Sequence, residues 1–256
     1  MNDIEQMLPR PIVGVSQGTV VEQSRAVAEV AAAVQVAKSF PRDTNRAGEQ
    51  MLELCGRLAV ASRAFYSVPK RGSGMSIHIA RELARVWGNV DYGVRELRRD
   101  DEAGVSEMQA WAWDQQENVR STRSFIVPHL RSTRGGNQPL TDLGDIYLNN
   151  QNQGAKAVRE CIFAMLPGWF KAEAEDRLRQ TLERGDGKPI EQRRTDAVDR
   201  FKDLGVTQGQ LEAHLRRDMG QWGARDIAEL TKAYMSITQD GIATAEFFPE
   251  KPVEVE

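Results

Sequence analysis

The chain has 256 residues, a hydrophobic content of 40% and a formal net charge of −3. That apolar content suffices for a core and excludes a disordered chain. The charge excludes a general polycation, so any nucleic-acid surface must be a local basic patch balanced by acids elsewhere. The two cysteines, Cys55 and Cys161, cannot make a zinc site between them and do not form a disulfide scaffold, which points to a reducing, cytoplasmic setting. No apolar run reaches membrane-spanning length and the opening MNDIEQMLPRP lacks a signal-peptide pattern, so no membrane partner is expected.

After an arm bearing Pro9 and Pro11, Val20, Val27, Val30, Ala31, Val34 and Ala37 recur near helical period and Pro41 ends the run. A second helix places Met51, Leu54, Leu58 and Ala61 on one face. The breaker-rich YSVPKRGSG reads as a loop before a third helix, MSIHIARELARVWG, with Ser76 as its cap and Gly88 as its stop.

The period then changes to two. Val90, Tyr92 and Val94 alternate; Gln109, Trp111 and Trp113 alternate against Met108, Ala110 and Ala112; a third run carries Phe125 and Val127. Short polar connections join them, which predicts a three-stranded antiparallel meander. RSTRGGNQPLTDLGDIYLNNQNQ reads as a long loop, followed by a helix with an apolar stripe at Ala157, Cys161, Ala164 and Met165 and then by a charged helix to Arg184.

The expected fold is therefore α+β: helices packed around a three-stranded antiparallel meander, plus a small C-terminal helical module. The expected divisions are a core over 1–184, a linker over 185–195, a helical module over 196–239 and an acidic disordered tail over 240–256. Leu211, Leu215, Ile227, Leu230 and Tyr234 can bury one another, which makes the module a detachable unit on this reading. Thr195, Thr207 and the Ala224–Asp226 turn are its expected helix starts.

Catalytic chemistry is hard to find. The three histidines, His78, His129 and His214, fall in different elements, and no zinc motif or nucleophile elbow is present. No catalytic residue, metal ligand or cofactor is expected. KRGSGMS puts glycines before a helix start, but its lysine precedes them, unlike a Walker loop; Lys70 and Arg71 there either touch a phosphate or belong to a plain loop.

The stretch AWAWDQQENVRSTRSFIVPHLRSTRGG raises the sharper question, because Arg120, Arg123, Arg131 and Arg134 alternate with apolar residues. They face solvent, with Asp114, Glu117 and Asp100 to Glu102 as partners, or they face a phosphate backbone. Trp111 and Trp113 share a face, and large aromatics on strands are more often core than stacking platforms. Five amides, Asn149 to Gln153, precede Lys156 and Arg159. On this reading they open a helix, where side-chain amides and free N–H groups hold phosphates without reading sequence; the plain alternative is a heavily capped helix start.

Three stretches carry a resemblance: GMSIHIARELARVWGNVDYGVREL, NNQNQGAKAVRECIFAMLPGWFKAEAEDRLRQTL and LEAHLRRDMGQWGARDIAELTKAYM. With the order of elements, they resemble the bacteriophage single-strand DNA annealing proteins of the RecT and Red-beta superfamily, over most of residues 48 to 238. The resemblance implies a non-enzymatic, ATP-independent protein of phage recombination. It would bind single-stranded DNA and the annealed duplex intermediate and act as a ring or helical homo-oligomer in the bacterial cytoplasm. It also implies a C-terminal module that recruits a phage exonuclease or the host single-strand-binding protein. Its DNA contacts would come from Lys156, Arg159, Arg123, Arg131, Asn149, Asn152 and Gln153, then Arg120, Arg134, Lys70 and Arg71. The amides stand where the family carries cations. Two other readings stay open: a phage scaffold whose oligomer contacts use the sheet, and a metal-dependent nuclease built on Asp142, Asp145 and Glu160.

Overall fold

The computed structural model describes residues 17–69, 72–133, 136–239 and 241–249. The fold is α+β. Its central sheet is an antiparallel meander of β3 (Val90–Asp100), β4 (Val105–Asp114) and β5 (Val119–Pro128), in the order β3-β4-β5. A bulge between Glu96 and Arg98 shifts the register of β3. In β4, Ser106, Met108, Ala110 and Ala112 are all buried, while Trp111 on the other face is half-buried.

One face of the sheet is covered by α5 (Leu143–Met165), whose buried stripe is Ile146, Asn150, Gly154, Val158, Cys161, Ile162 and Met165. Small residues line this contact: Ala110 and Ala112 of β4 lie under the helix, and Gly154 of the helix lies against Val94 of β3. The opposite face carries the tryptophans. Trp111 lies over Gly93 and donates its indole N–H to Asp91 (2.7 Å), and Trp113 donates to Asn118 (3.2 Å). Trp113 is buried as expected, but neither tryptophan faces the main helix, because an indole would hold α5 off the sheet.

Around this unit pack α2 (Thr44–Cys55), α3 (Leu58–Arg63), α4 (Ile77–Trp87) and α6 (Gly168–Arg184), which share one apolar core with the sheet. Ser76 caps α4 as expected, accepting from Ile79 N (3.4 Å). The YSVPKRGSG segment is not a plain loop: β1 (Phe65–Val68) and β2 (Gly72–Met75) pair as antiparallel strands. Ahead of the core lies α1 (Gln17–Ser39), of which only Ala37 is buried. A second hairpin, β6 (Leu130–Thr133) with β7 (Gly136–Pro139), occupies part of the expected long loop. From Leu143 onward that loop is helix, because Asp142 caps α5 early by accepting from Gly144 N and Asp145 N.

The C-terminal part has its own apolar cluster, built on α7 (Ile190–Lys202), α8 (Gln208–Leu215), α9 (Ala224–Thr238) and α10 (Thr244–Phe247). Thr207 caps α8 with a full capping box, and the Asp226 carboxylate accepts from Gly223 N (2.8 Å). Three expectations need correction. The linker is shorter than 185–195: residues 190–195 already belong to α7, which starts behind Pro189, so Thr195 lies inside the helix. Arg193 folds back over Gly185 to donate to the carbonyls of Leu182 and Glu183, fastening α7 to the end of α6.

The module is also not detached. Ala228 of α9 belongs to the main core, buried Ser236 accepts from Ser67 N of β1 (2.9 Å), and Arg225 pairs with Glu183 (3.2 Å). The tail expected to be disordered from 240 contains α10, and Phe247 and Phe248 are buried in the module's cluster against Phe201 and His214. Burying a phenylalanine is worth about 1.5–3 kcal/mol, which outweighs the acidic composition around this pair. Residues 240 and 250–256 lie outside the described residues. No helix among the described residues is long and apolar enough to cross a membrane.

Candidate nucleic-acid interface

The arginines of β5 divide by parity. Arg123 stands opposite Ala110 and Arg120 opposite Trp113 in the ladder. Directly opposed residues share a face, so Arg123 points to the side of α5 and Arg120 to the side of the tryptophans. A single surface cannot use both.

On the α5 side, a groove of about 750 Å³ runs between the edge strand β5 and the helix. Its strand wall includes Arg123 and Phe125, with Ile126 at the rim and Leu130 of β6 beyond the strand end, and its helix wall includes Asn149, Gln153, Lys156, Arg159 and Glu160. The helix residues lie at i, i+4, i+7 spacing, opposite the buried stripe that holds α5 on the sheet. Five expected site residues are thereby brought together: Arg123, Asn149, Gln153, Lys156 and Arg159. Asn152 is exposed on α5 but lies outside the groove lining, as do Arg120 and Arg131. Lys70, Arg71 and Arg134 lie outside the described residues.

The backbone reading of the amide run needs correction. Asn149 to Gln153 begin at the seventh residue of α5, counting from Leu143, so their backbone N–H groups belong to the helix ladder. Only their side chains face outward or inward. Asn149 donates to the Pro128 carbonyl (3.0 Å) and ties the helix to the end of β5. Asn150 turns inward and donates to Ser106 Oγ (2.9 Å); Ser106 donates to Glu96 (2.7 Å) and lies 2.9 Å from His129 Nε2. That knot fixes where α5 crosses the sheet. Gln153 accepts from Lys156 Nζ (3.1 Å), which directs its own amide N–H₂ outward.

The cations differ in how far they are engaged. Arg159 pairs with Glu160 (2.8 Å), its guanidinium lies 4.5 Å from the centre of the Tyr66 ring, and its side chain is 16% exposed. It joins the groove to the β1–β2 hairpin more than it offers charge. Arg123 is exposed on the edge strand and stands beside Cys161, where its charge partly opposes the rise in the thiol pKa caused by burial. Arg123 and exposed Lys156 therefore set the sign of the groove. Arg131 is engaged by Asp145 (3.0 Å), a partner not foreseen for it.

The same pairings account for the three acids considered for metal chemistry: Asp142 caps α5, Asp145 holds Arg131 and Glu160 holds Arg159. Among the described residues there is no group of three or more His, Cys, Asp or Glu arranged to hold a metal ion.

Sequence reasoning missed the apolar part of the groove. Ile126 is 59% exposed and Leu130 40% exposed, and both line it. In a sequence they read as core; Ile126 is turned to solvent because it stands opposite Glu107 on the face of the sheet away from α5, and Leu130 because it lies in the short β6–β7 ladder beyond the end of β5. No protein-family model, curated protein or solved structure matches this chain.

Proposed function

We propose that this protein binds single-stranded DNA in the groove between β5 and α5 and speeds the pairing of complementary strands without nucleotide hydrolysis. The observation that carries this reading is the groove itself: Arg123 and Lys156 flank an apolar floor of half-buried Phe125 and exposed Leu130, with exposed Ile126 at its rim. Cations attract phosphates without reading bases, while apolar and amide groups take up sugars and base faces, the combination that serves sequence-tolerant single-strand binding.

Annealing needs little more. Complementary strands repel through their phosphates, and a groove that neutralises one backbone lowers that barrier. Base pairing then drives the reaction, so nothing need be hydrolysed. Lys156 and Arg123 carry the charge, Gln153 adds an amide donor, and Asn149 and Arg159 hold the walls in place.

One groove of this size is weak, and repetition across subunits supplies avidity. β3 and β5 are both edge strands. Pairing of β3 of one copy with β5 of the next is heterologous and would give a ring or a helical filament. On this reading the protein works as such a homo-oligomer in phage recombination in the bacterial cytoplasm. Its C-terminal helices offer a surface for a partner such as an exonuclease or a single-strand-binding protein.

The test is fluorescence-monitored annealing of complementary oligonucleotides, with and without ATP, across salt concentrations. The expected result is ATP-independent acceleration that falls as salt rises. Assembly into particles with no salt-sensitive affinity for single strands would instead favour a scaffold, and divalent-dependent cleavage would favour a nuclease.

A further inference from the structure

The long helix α1 leaves almost all of its surface uncovered. It has 23 residues, and burial is confined to Ala37 in its last turn. That turn is anchored, since Asn89 donates its side-chain amide to the Phe40 carbonyl (3.1 Å) and Asn89 also reaches the Ala37 carbonyl (3.4 Å). The preceding turns carry valine and alanine into solvent: Val20 is 40% exposed and Val30 53% exposed. A helix this apolar is ordinarily covered.

Its pattern says what covers it. Val20, Val27 and Val34 recur every seven residues, and Gln23, Val30 and Ala37 recur every seven residues three places later. These are the a and d positions of a heptad repeat, with a β-branched residue at every a position. The flanking Ser24, Ala26, Ala31 and Ala33 are small and allow close approach. The charges Glu22, Arg25 and Glu29 fall at the outer c and f positions, where Arg25 pairs with Glu22 (3.1 Å) and Glu29 (3.3 Å) within the helix. No charge stands beside the seam over its first two heptads to repel an identical helix.

We propose that α1 is a self-association element: it pairs in parallel and in register with α1 of a second copy of this chain. Self-complementarity selects that occupant. Gln23 is the one polar residue on the seam, and only the parallel, in-register arrangement sets it opposite another Gln23, where the two amides satisfy each other; other registers bury it against valine. The body of each subunit sits at the C-terminal end of its helix, so parallel pairing brings two bodies together. The free seam spans about two heptads, so the pairing is weak alone and concentration-dependent. The inference stands whether or not the groove binds nucleic acid.

The test is position-specific cross-linking of the full chain without DNA. Native Cys55 and Cys161 are buried and stay out of the reaction. In a parallel two-stranded pair, equivalent d positions come within disulfide reach, about 4.4–6.8 Å between Cα atoms, whereas f positions point apart. Under a mild oxidant, Val30→Cys is expected to give a covalent dimer and Arg25→Cys is not, each with circular dichroism matching the parent. Equal cross-linking at both positions, or none at position 30, would overturn the proposal.

Discussion

Gly154 of α5 lies against Val94 of β3 so closely that a Cβ added there would stand 2.8 Å from Val94 Cγ2. The helix that supplies one wall of the groove therefore touches the far strand of the sheet, and the absence of a side chain sets its height. Gly154→Ala gains helix propensity of about 1 kcal/mol, but overpacking a close contact costs typically 1–3 kcal/mol. The contact is with a branched side chain beside its own backbone, so it cannot yield freely. The expected outcome is net destabilisation, seen as a lower Tm, together with weaker binding of single strands because the helix wall moves.

The division of the β5 arginines gives the groove its sharpest test. Losing a phosphate contact flattens the logarithmic salt dependence of single-strand binding by about 0.7 per contact. The pair Arg123→Ala and Lys156→Ala should flatten it by roughly 1.4 units, evenly across sequences, measured by fluorescence anisotropy at several salt concentrations. Arg120→Ala, on the tryptophan face, should leave the slope unchanged. If Arg120 lowers the slope and the pair does not, the interface is the other face of the sheet.

Asp114 and Arg42 form a buried ion pair at the end of β4, joined by the indole N–H of Trp87 (3.1 Å). Burial pushes the carboxyl pKa upward, but hydrogen bonds from Arg42, the Glu117 backbone and Trp87, with the Arg42 charge, outweigh it and hold the value below the usual range. The contribution to stability is thus present above the unfolded pKa of about 3.9 and lost as pH falls through the lower folded value. Chemical denaturation midpoints should vary little through this group from neutrality to about pH 5, then drop below about pH 4. Asp114→Asn strands the guanidinium and should cost about 3–5 kcal/mol at neutral pH.

Both thiols should be inert in the folded protein. Burial pushes Cys55 up to about 12 despite the opposing charge of Arg177, and burial also raises Cys161. Thiolate is the reactive form, so a colourimetric thiol reagent at pH 8 should titrate neither cysteine until denaturant is added. Rapid reaction of one thiol would show that its surroundings open in solution.

Ending the chain after Pro189 removes α9, and with it Ala228 from the main core and the Ser236 hydroxyl from Ser67 N. The truncated protein should unfold at lower temperature or precipitate, rather than persist as a separate annealing core. Sedimentation and thermal melts of the two lengths make the comparison; equal melting temperatures would mean that the docked contacts contribute nothing.

Much of this architecture is legible in the sequence. Strict period-two alternation around Trp111 and Phe125 determines a meander, because only one face of each strand can be buried. Ser76 and Thr207 announce helix starts because a side-chain oxygen before an apolar run satisfies N–H groups that nothing else reaches. The spacing of three between Arg120 and Arg123 already separates them on a strand. What the sequence alone left undecided was which parity faces the helix. The tertiary structure decides it through size, since Ala110 and Ala112 admit α5, whose Cys161 Sγ lies 3.7 Å from the Ala110 carbonyl, where Trp111 and Trp113 would hold it off. Likewise Asn149 to Gln153 have no strong local preference, so their place in mid-helix follows from the cap at Asp142 and the docking of α5. Phe247 and Phe248, in an acidic context, read as tail until a neighbouring cluster offers them burial. The groove belongs to this second class: its charges stand in the chain, but its walls exist only because an edge strand ending at Pro128 and a helix beginning at Leu143 come to lie side by side.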